Sequence, residues 1–365
     1  MRRRVSNSRP TQSPSIDAKE TMTTPAATGV GHLARALGRG RFDTLARVVR
    51  GAFERADDDA MALIASSLGD DVSLDQRWTY GELRERAETF ARALRDLGYA
   101  EREAKALGVR ARNGGDALTA YLGGALAGSG TRTCGAREDA REAFGNGKTR
   151  GTMVEFVDAD VVGSIVGAHE PIALNGGTVK DKVILYEVLR AAYGRAEDDE
   201  DGDATTSATV DARYMFGGDK VTSGMTLASA AARAAAALDV RETDAVCVPV
   251  PLGHAMGFGF GALAALTSGA RLVLPPTMGS AADGDAARRA MFEATLEALR
   301  SEKCTLVVAD SHVTRSANEL APDLSGLDAL RGGLVKVGSG DDVGMQDPVK
   351  FLGVDLLTVG VAKPK

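Results

Sequence analysis

Residues 248–276, VPVPLGHAMGFGFGALAALTSGARLVLPP, contain a strand-to-helix-to-strand pattern. The apolar run 245–250 that overlaps its start predicts a buried strand, and residues 270–275 predict a second one. Between them, residues 257–269 predict a helix whose many small residues allow close packing against a sheet. Its glycines Gly257, Gly259 and Gly261 are interpreted as packing positions, not as a nucleotide-binding fingerprint. Strands that alternate with helices in this way build parallel sheets, so the stretch predicts an α/β fold.

The same alternation continues on both sides of this stretch. Residues 79–98 predict a helix that opens with a capping box, because Thr79 is followed three residues later by Glu82. Further helices are predicted from Asp116, over 180–194 and over 228–238, and further strands over 106–111, within 153–167, and over 304–309, 334–340 and 354–360. We therefore expect doubly wound, largely parallel sheets with flanking helices.

Composition excludes several classes of function. The chain has 365 residues, 44% of them hydrophobic, and a net charge of −6, which offers no basic face for nucleic acid. Three widely spaced cysteines indicate reduced thiols inside a cell rather than a disulfide framework, and neither they nor the four scattered histidines form a metal-binding pattern. No apolar run approaches the ~20 residues that a membrane-spanning helix needs.

Two segments are predicted to lie outside the packed fold. Residues 1–25 begin with four arginines and four serines before the first acid, which resembles an organellar transit peptide; a basic disordered tail is the alternative. Residues 195–211 are acidic and polar and predict a solvated, disordered loop. The remaining span, 40–365, is predicted to be one domain.

Three blocks of this sequence resemble the adenylate-forming (AMP-binding) family, which includes acyl-CoA synthetases. TYGELRERAETFARALRDLGY, from Thr79, resembles the family's opening helix. VPVPLGHAMG, from Val248, is similar to its PLFHxxG segment, and LDALRGGLVKVGSG, from Leu327, resembles the segment that ends in its SGGAPL loop. The resemblance implies ATP- and magnesium-dependent activation of a carboxylic acid to an acyl-adenylate, in many members followed by transfer to coenzyme A.

The resemblance also implies candidate site residues. The phosphate-binding loop corresponds to the stretch from Tyr214, and the SGGAPL loop, whose backbone packs against adenine, to residues 338–340. The nucleotide-contacting candidates are Gly217, Gly218, Lys220, Thr222, Ser223, Gly224, Gly338, Ser339 and Gly340. His254 and Gly257 are candidates for the acid pocket; a packed, hydrogen-bonded histidine is the alternative for His254, and an ordinary surface lysine for Lys220.

The sequence departs from the family at positions that handle charge. In the register anchored on the downstream helix, Ser223 stands at the family's phosphate-loop lysine; a second register matches residues 222–224 to the family's TSG but supplies no lysine. Lys363 stands where the family has a glutamate that approaches magnesium. No counterpart of the family's C-terminal domain, with its catalytic lysine, is found, so no catalytic residue is assigned. Two hypotheses follow: an acyl-CoA synthetase-like ligase with impaired chemistry, or an inactive pseudoenzyme or truncated product that retains at most nucleotide or acyl binding.

Overall fold

The computed structural model describes residues 42–66, 75–96, 105–110, 113–133, 150–157, 165–169, 181–185, 210–216, 221–276 and 285–361. The helices, numbered in chain order, are α1 (Leu45–Arg55), α2 (Tyr80–Asp96), α3 (Gly115–Ala127), α4 (Gly224–Leu238), a π-helix (Met256–Leu263), α5 (Ala264–Thr267), α6 (Asp285–Ser301) and α7 (Ser311–Leu320). Within these ranges, no helix is both long and apolar enough to cross a membrane.

The larger of two sheets has nine strands. They are β1 (Met61–Ala65), β2 (Gln76–Thr79), β10 (Ala245–Cys247), β11 (Arg271–Leu274), β12 (Leu306–Ala309), β13 (Gly332–Lys336), β14 (Ser339–Val343), β15 (Val349–Phe351) and β16 (Val354–Val361). Their spatial order is β14-β16-β13-β12-β10-β11-β1-β2, with β15 paired to β16. All pairs from β16 through β1 are parallel, whereas β2, β14 and β15 pair antiparallel. The predicted doubly wound, largely parallel architecture is confirmed.

The smaller sheet contains seven strands in the order β7-β6-β5-β3-β4-β8-β9. They are β3 (Lys105–Arg110), β4 (Gly130–Thr133), β5 (Arg150–Val157), β6 (Ile165–His169), β7 (Asp181–Leu185), β8 (Arg213–Met215) and β9 (Val221–Ser223). Strands β5, β3, β4 and β8 are parallel, and β8 and β9 form an antiparallel hairpin. This hairpin contains the predicted phosphate loop.

The core divides along the two faces of the large sheet. One cluster joins one face to helices α1 to α4 and to the π-helix, whereas the other joins the opposite face to α6 and α7. Side chains of a strand alternate between faces. Thus in β13 Leu334 belongs to the first cluster and Val335 to the second. Helices thereby cover both faces of the large sheet, as parallel sheets require.

Two local predictions are confirmed in detail. The Thr79 backbone N–H donates to Glu82 Oε2 over 2.8 Å, and the Glu82 N–H donates to Thr79 Oγ1 over 3.2 Å, which is the expected capping box. The helix from residue 257 packs closely because its glycines leave room for neighbours: a Cβ on Gly261 would meet Val248 Cγ1 at 2.8 Å. This segment is a π-helix for two turns before it becomes α-helical.

One predicted helix is wrong. Residues 181–185 of the helix predicted over 180–194 form strand β7, antiparallel to β6. A short apolar run such as VIL fits a strand as well as a helix, and here pairing with β6 decides. The rest of that predicted helix, the basic segment 1–25 and most of the acidic loop 195–211 lie outside the described residues.

Candidate functional site

The order of the large sheet places a crevice between β10 and β12. After β10 the chain crosses to β11 on one side, and it later returns to form β12 on the other side of β10. In doubly wound sheets, ligands bind outside the carboxyl ends of the strands at such a reversal. His254 follows β10, Asp310 follows β12 directly, and Lys336 is the last residue of the next strand, β13.

A cavity of about 140 Å³ opens beside these strand ends. Its lining residues come from the β8–β9 hairpin, α4, the segment after β10, the π-helix and β14: Phe216, Thr222, Thr226, Leu227, Ala230, His254, Ala255, Phe260 and Asp341. The cavity is smaller than the roughly 300 Å³ or more typical of ligand pockets, so it would hold part of a nucleotide, not all of it. Two segments assigned separately from the sequence, those of Thr222 and His254, therefore meet at one cavity, and Asp341, next to the 338–340 segment, also lines it.

His254 is fixed by its own backbone neighbourhood. The Met256 N–H donates to His254 Nδ1 over 3.1 Å, which leaves Nε2 as the protonated nitrogen of the neutral ring. Partial desolvation lowers the pKa of His254; the Asp310 carboxylate opposes this and the Lys336 ammonium adds to it. A neutral imidazole with an N–H at Nε2 can donate one hydrogen bond to an oxygen of a bound anion.

Gly257 holds the segment before His254 in place. A Cβ at Gly257 would lie 2.2 Å from the Pro251 carbonyl oxygen and 2.7 Å from that of Val250. Such separations are far below any real contact, so only glycine lets the π-helix approach this backbone. Gly257 is buried and does not line the cavity; the structure gives it a packing role next to the site.

Behind Phe216, aromatic rings pack against one another. Phe216 stacks on Tyr214 with ring centroids 5.7 Å apart and planes 12° apart, and Phe258 and Tyr121 complete the group. The Tyr214 hydroxyl donates to the Tyr121 carbonyl oxygen over 3.0 Å, and burial raises its pKa, so it stays protonated. The wall of the cavity that Phe216 forms therefore packs against buried aromatic side chains of the core.

Residues of the predicted phosphate loop divide into three groups. Thr222 lines the cavity. Ser223 is the N-cap of α4, where its hydroxyl accepts a hydrogen bond from the Thr226 N–H over 3.1 Å. Gly224 starts α4 and packs tightly, because a Cβ there would lie 2.6 Å from Asp211 Oδ1. Gly217, Gly218 and Lys220 lie outside the described residues, and so does Lys363.

Asp211 corrects the prediction that 195–211 is solvated throughout. Its Oδ1 accepts from the Leu45 N–H over 3.0 Å and its Oδ2 from the Met225 N–H over 2.9 Å. Both donors belong to first turns of helices, α1 and α4, whose free N–H groups and positive dipole ends favour a carboxylate. One carboxylate therefore ties together two helices that are far apart in sequence.

The candidates for contact with adenine lie at the start of β14. Gly338 precedes the strand, and Ser339 and Gly340 begin it, so this segment is a strand edge beside β16. Gly360 of β16 has a φ of +79°, and a Cβ there would lie within 3 Å of the carbonyl oxygens of Gly338, Ser339 and Gly340. A glycine at 360 is therefore needed for β16 to pack against β14, whereas a Cβ at Gly340 would meet no atom within 4 Å.

The residues seen around the cavity do not suit magnesium. The sole carboxylate among its lining residues is Asp341, which is 3.7 Å from the Lys336 ammonium. Magnesium prefers several oxygen ligands in octahedral geometry. Across the described ranges no group of three His, Cys, Asp or Glu side chains is arranged to hold a metal ion.

Sequence reasoning missed Lys336 and Asp310. Asp310 is the N-cap of α7, accepting hydrogen bonds from the His312 and Val313 N–H groups. Lys336 is the last residue of strand β13, GGLVK, whose other residues are glycines and apolar residues. The signal available in the sequence was a single charge at the end of each buried strand, where parallel sheets present side chains to a ligand.

Comparison with solved structures shows which proteins share this fold. The N-terminal domain of FACL13 from Mycobacterium tuberculosis has a TM-score of 0.57 at 14% identity, over 87% of this chain and 75% of that one. An artificially fused adenylation–PCP di-domain, NpsA-ThdA from Klebsiella oxytoca, scores 0.56 at 15% identity over 80% and 52%. A long-chain-fatty-acid-CoA ligase, FadD1 from Archaeoglobus fulgidus, scores 0.52 at 15% identity over 80% and 57%.

Sequence comparison adds no closer relative. No protein-family model matches the chain, and no curated protein matches it. The likeness is therefore one of three-dimensional structure at low sequence identity. This chain has the fold of the N-terminal part of adenylate-forming ligases, as the three sequence blocks predicted.

Proposed function

We propose that this chain binds an adenine nucleotide and a small carboxylic acid at the carboxyl ends of β10 and β12, with only part of the nucleotide inside the cavity there, and that its own residues do not complete acyl-adenylate formation. One observation supports the binding half of this proposal. Thr222 and His254, from the segments that the sequence assigns to phosphate and acid contact, line one cavity, and Asp341, which directly follows the adenine candidates 338–340, lines it too.

The cavity offers hydrogen-bond donors suited to such ligands. The neutral His254 can donate from Nε2 to an oxygen of a phosphate or carboxylate. The hydroxyls of Thr222 and Thr226 border the same space, and Thr226 Oγ1 lies 3.0 Å from Ser223 Oγ. Gly340, next to Asp341, is exposed and has no atom within 4 Å of its Cβ position, so a flat ring could pack against its Cα. Orientation of a nucleotide and an acid is the role we assign to these groups.

The chemical half of the proposal rests on charge. Attack of a carboxylate on the α-phosphate brings negative groups together, and enzymes stabilise this by cations placed in advance. Ser223, which stands at the family's lysine in one register, is neutral and caps a helix. Lys363 stands at the family's magnesium-binding glutamate, where its charge would repel the metal. We therefore expect binding of reactants without turnover.

Calorimetric titration with AMP tests the binding half. We expect saturable heat with a Kd of about 1 mM or tighter for the full chain. Thr226→Trp should weaken AMP at least ~10-fold, because the indole would fill the cavity from an exposed position of α4. The matched control is Ala237→Trp, an exposed site 11 residues further along α4, or roughly 16 Å away.

Two outcomes would contradict the proposal. Absence of heat at millimolar AMP with the folded, full-length chain would remove the nucleotide-binding role. Equal AMP affinity in the Thr226→Trp variant and the wild type would place any AMP binding elsewhere. Thermal melting of both tryptophan variants shows whether a loss of binding reflects the cavity or a loss of the fold.

A further inference from the structure

We infer that Lys336 supplies the cation for the phosphate group in this cavity, in place of the lysine that neither register of the phosphate loop supplies. The inference rests on the proposed nucleotide binding and names the residue that recognises the phosphate. Three features of the structure support it: the position of Lys336 in the sheet, its present partners and its neighbours across the crevice.

The strand places Lys336 on the side of the sheet where the cavity lies. Leu334 faces the core cluster that contains α4 and the π-helix, and Val335 faces the opposite cluster. Because strand side chains alternate, Lys336 shares the face of Leu334. Leu227 and Ala230 of α4 and Phe260 of the π-helix line the cavity from that same face. Lys336 is also at the carboxyl end of β13, next but one to β10.

A phosphate group could replace the present partners of the Lys336 ammonium. Its ammonium donates to the Gly340 carbonyl oxygen and lies 3.7 Å from Asp341 Oδ1. The Lys336 side chain is 24% exposed, whereas that of Asp341 is 53% exposed. A well-solvated carboxylate is a weak competitor, and a lysine ammonium on its flexible stem can move to a more highly charged oxyanion.

The neighbours of Lys336 complete a site for an oxyanion. Asp341, its ion-pair partner, lines the cavity together with His254. Lys336 also contributes to lowering the pKa of His254, which agrees with the two side chains facing the same crevice. A phosphate between them would accept from His254 Nε2 and from the Lys336 ammonium, two charge-assisted hydrogen bonds. The Asp310 carboxylate acts in the opposite sense and raises the pKa of His254, but desolvation is the larger cause and the net shift is downward.

The test compares AMP with adenosine, which lacks the phosphate. Lys336→Met should weaken AMP about 10- to 30-fold and leave adenosine unchanged, because only the phosphate contact is lost. Lys336→Arg should keep most of the AMP affinity. Asp341→Asn should act in the opposite direction and strengthen AMP several-fold, since it removes the competing carboxylate. Lys350→Met, which breaks an exposed pair with Asp355 on the β15–β16 hairpin, is the matched control and should change neither ligand.

These outcomes separate the inference from the proposed function. If wild type prefers AMP to adenosine and Lys336→Met keeps that preference, Lys336 does not bind the phosphate and the inference fails. If wild type binds neither ligand, the proposed function fails. Pyrophosphate is the third probe. If the Lys336→Met variant melts normally but no longer binds pyrophosphate, Lys336 belongs to an anion site that needs no nucleotide. If the variant binds pyrophosphate as well as the wild type does, the anion site at Lys336 is overturned.

Discussion

Replacement of Gly257 by alanine is expected to lower the free energy of unfolding by about 3 kcal/mol, because the new methyl group would overlap a carbonyl oxygen. The Cβ would lie 2.2 Å from the Pro251 oxygen, and the nearest atoms are backbone that cannot rotate away. Either the π-helix or the 250–254 segment must move. Because His254 belongs to that segment, AMP binding should weaken as well. Urea unfolding measured by circular dichroism gives the stability change directly.

Gly259→Ala is the matched control for this prediction. It makes the same substitution two residues along the same π-helix, where the Cβ would meet Leu227 Cδ2 at 3.1 Å. That contact is the end of a flexible side chain, and alanine has the higher helix propensity, so stability should change by less than ~1 kcal/mol. Equal unfolding midpoints for the two variants would show that the Gly257 contact with the 250–251 backbone is not required.

Replacement of Asp211 by alanine is expected to lower stability by about 2–4 kcal/mol, since two hydrogen bonds to an ionised carboxylate are lost at once. The N–H groups of Leu45 and Met225 would both lose their acceptor. The positive ends of two helices would also lose a compensating charge. Asp211→Asn should be intermediate, because one amide oxygen can still accept from one helix. Thermal and urea unfolding provide the measurement.

Asp328→Ala serves as the control for Asp211, because Asp328 is an exposed aspartate near the surface of the same fold. It should change stability by no more than ~0.5 kcal/mol. If Asp211→Ala behaved like Asp328→Ala, the link between α1 and α4 would be an ordinary surface contact. Proteolysis near residue 45 offers a local readout, since α1 should become more accessible when the Asp211 contact is removed.

The sequence predicts most of the large sheet because that part of the fold is encoded locally. The Thr79–Glu82 capping box sets the start of α2, and both partners lie within four residues. The GFGFG segment predicts close packing because a glycine on any face of a helix has no side chain to hold a neighbouring element away. The strands on either side are runs of Val, Leu and Ala that need no distant partner to be recognised.

Residues that act across long sequence distances could not be found in this way. Asp211 closes the acidic run, and its donors lie 166 and 14 positions away, so composition indicated a solvated loop. Lys336 and Asp310 become neighbours of His254 only when β10, β12 and β13 pair in the observed order. The wrong helix prediction for 181–185 has the same cause. Pairing with β6, and not the residue pattern of the segment itself, makes it a strand.

The sequence predicts which chain segments lie near the cavity better than it predicts which of their side chains line it. Thr222 and His254 line the cavity as candidates from the sequence, whereas Ser223, Gly224 and Gly257 have structural contacts that explain them without a ligand. A match to a family motif predicts the course of the backbone at that position. Whether its side chain faces the ligand depends on the local turn and on helix capping, which the resemblance alone does not determine.

Exchange of labelled pyrophosphate into ATP, measured with the full chain, magnesium and a panel of fatty, aryl and amino acids, tests the account most directly. Reversible adenylate formation is the one step that such exchange requires. We expect no exchange above the enzyme-free blank with any acid, under conditions in which the same preparation binds AMP. Robust, acid-dependent exchange would contradict the account, because it would show that the residues of this chain complete the adenylation that we propose they cannot.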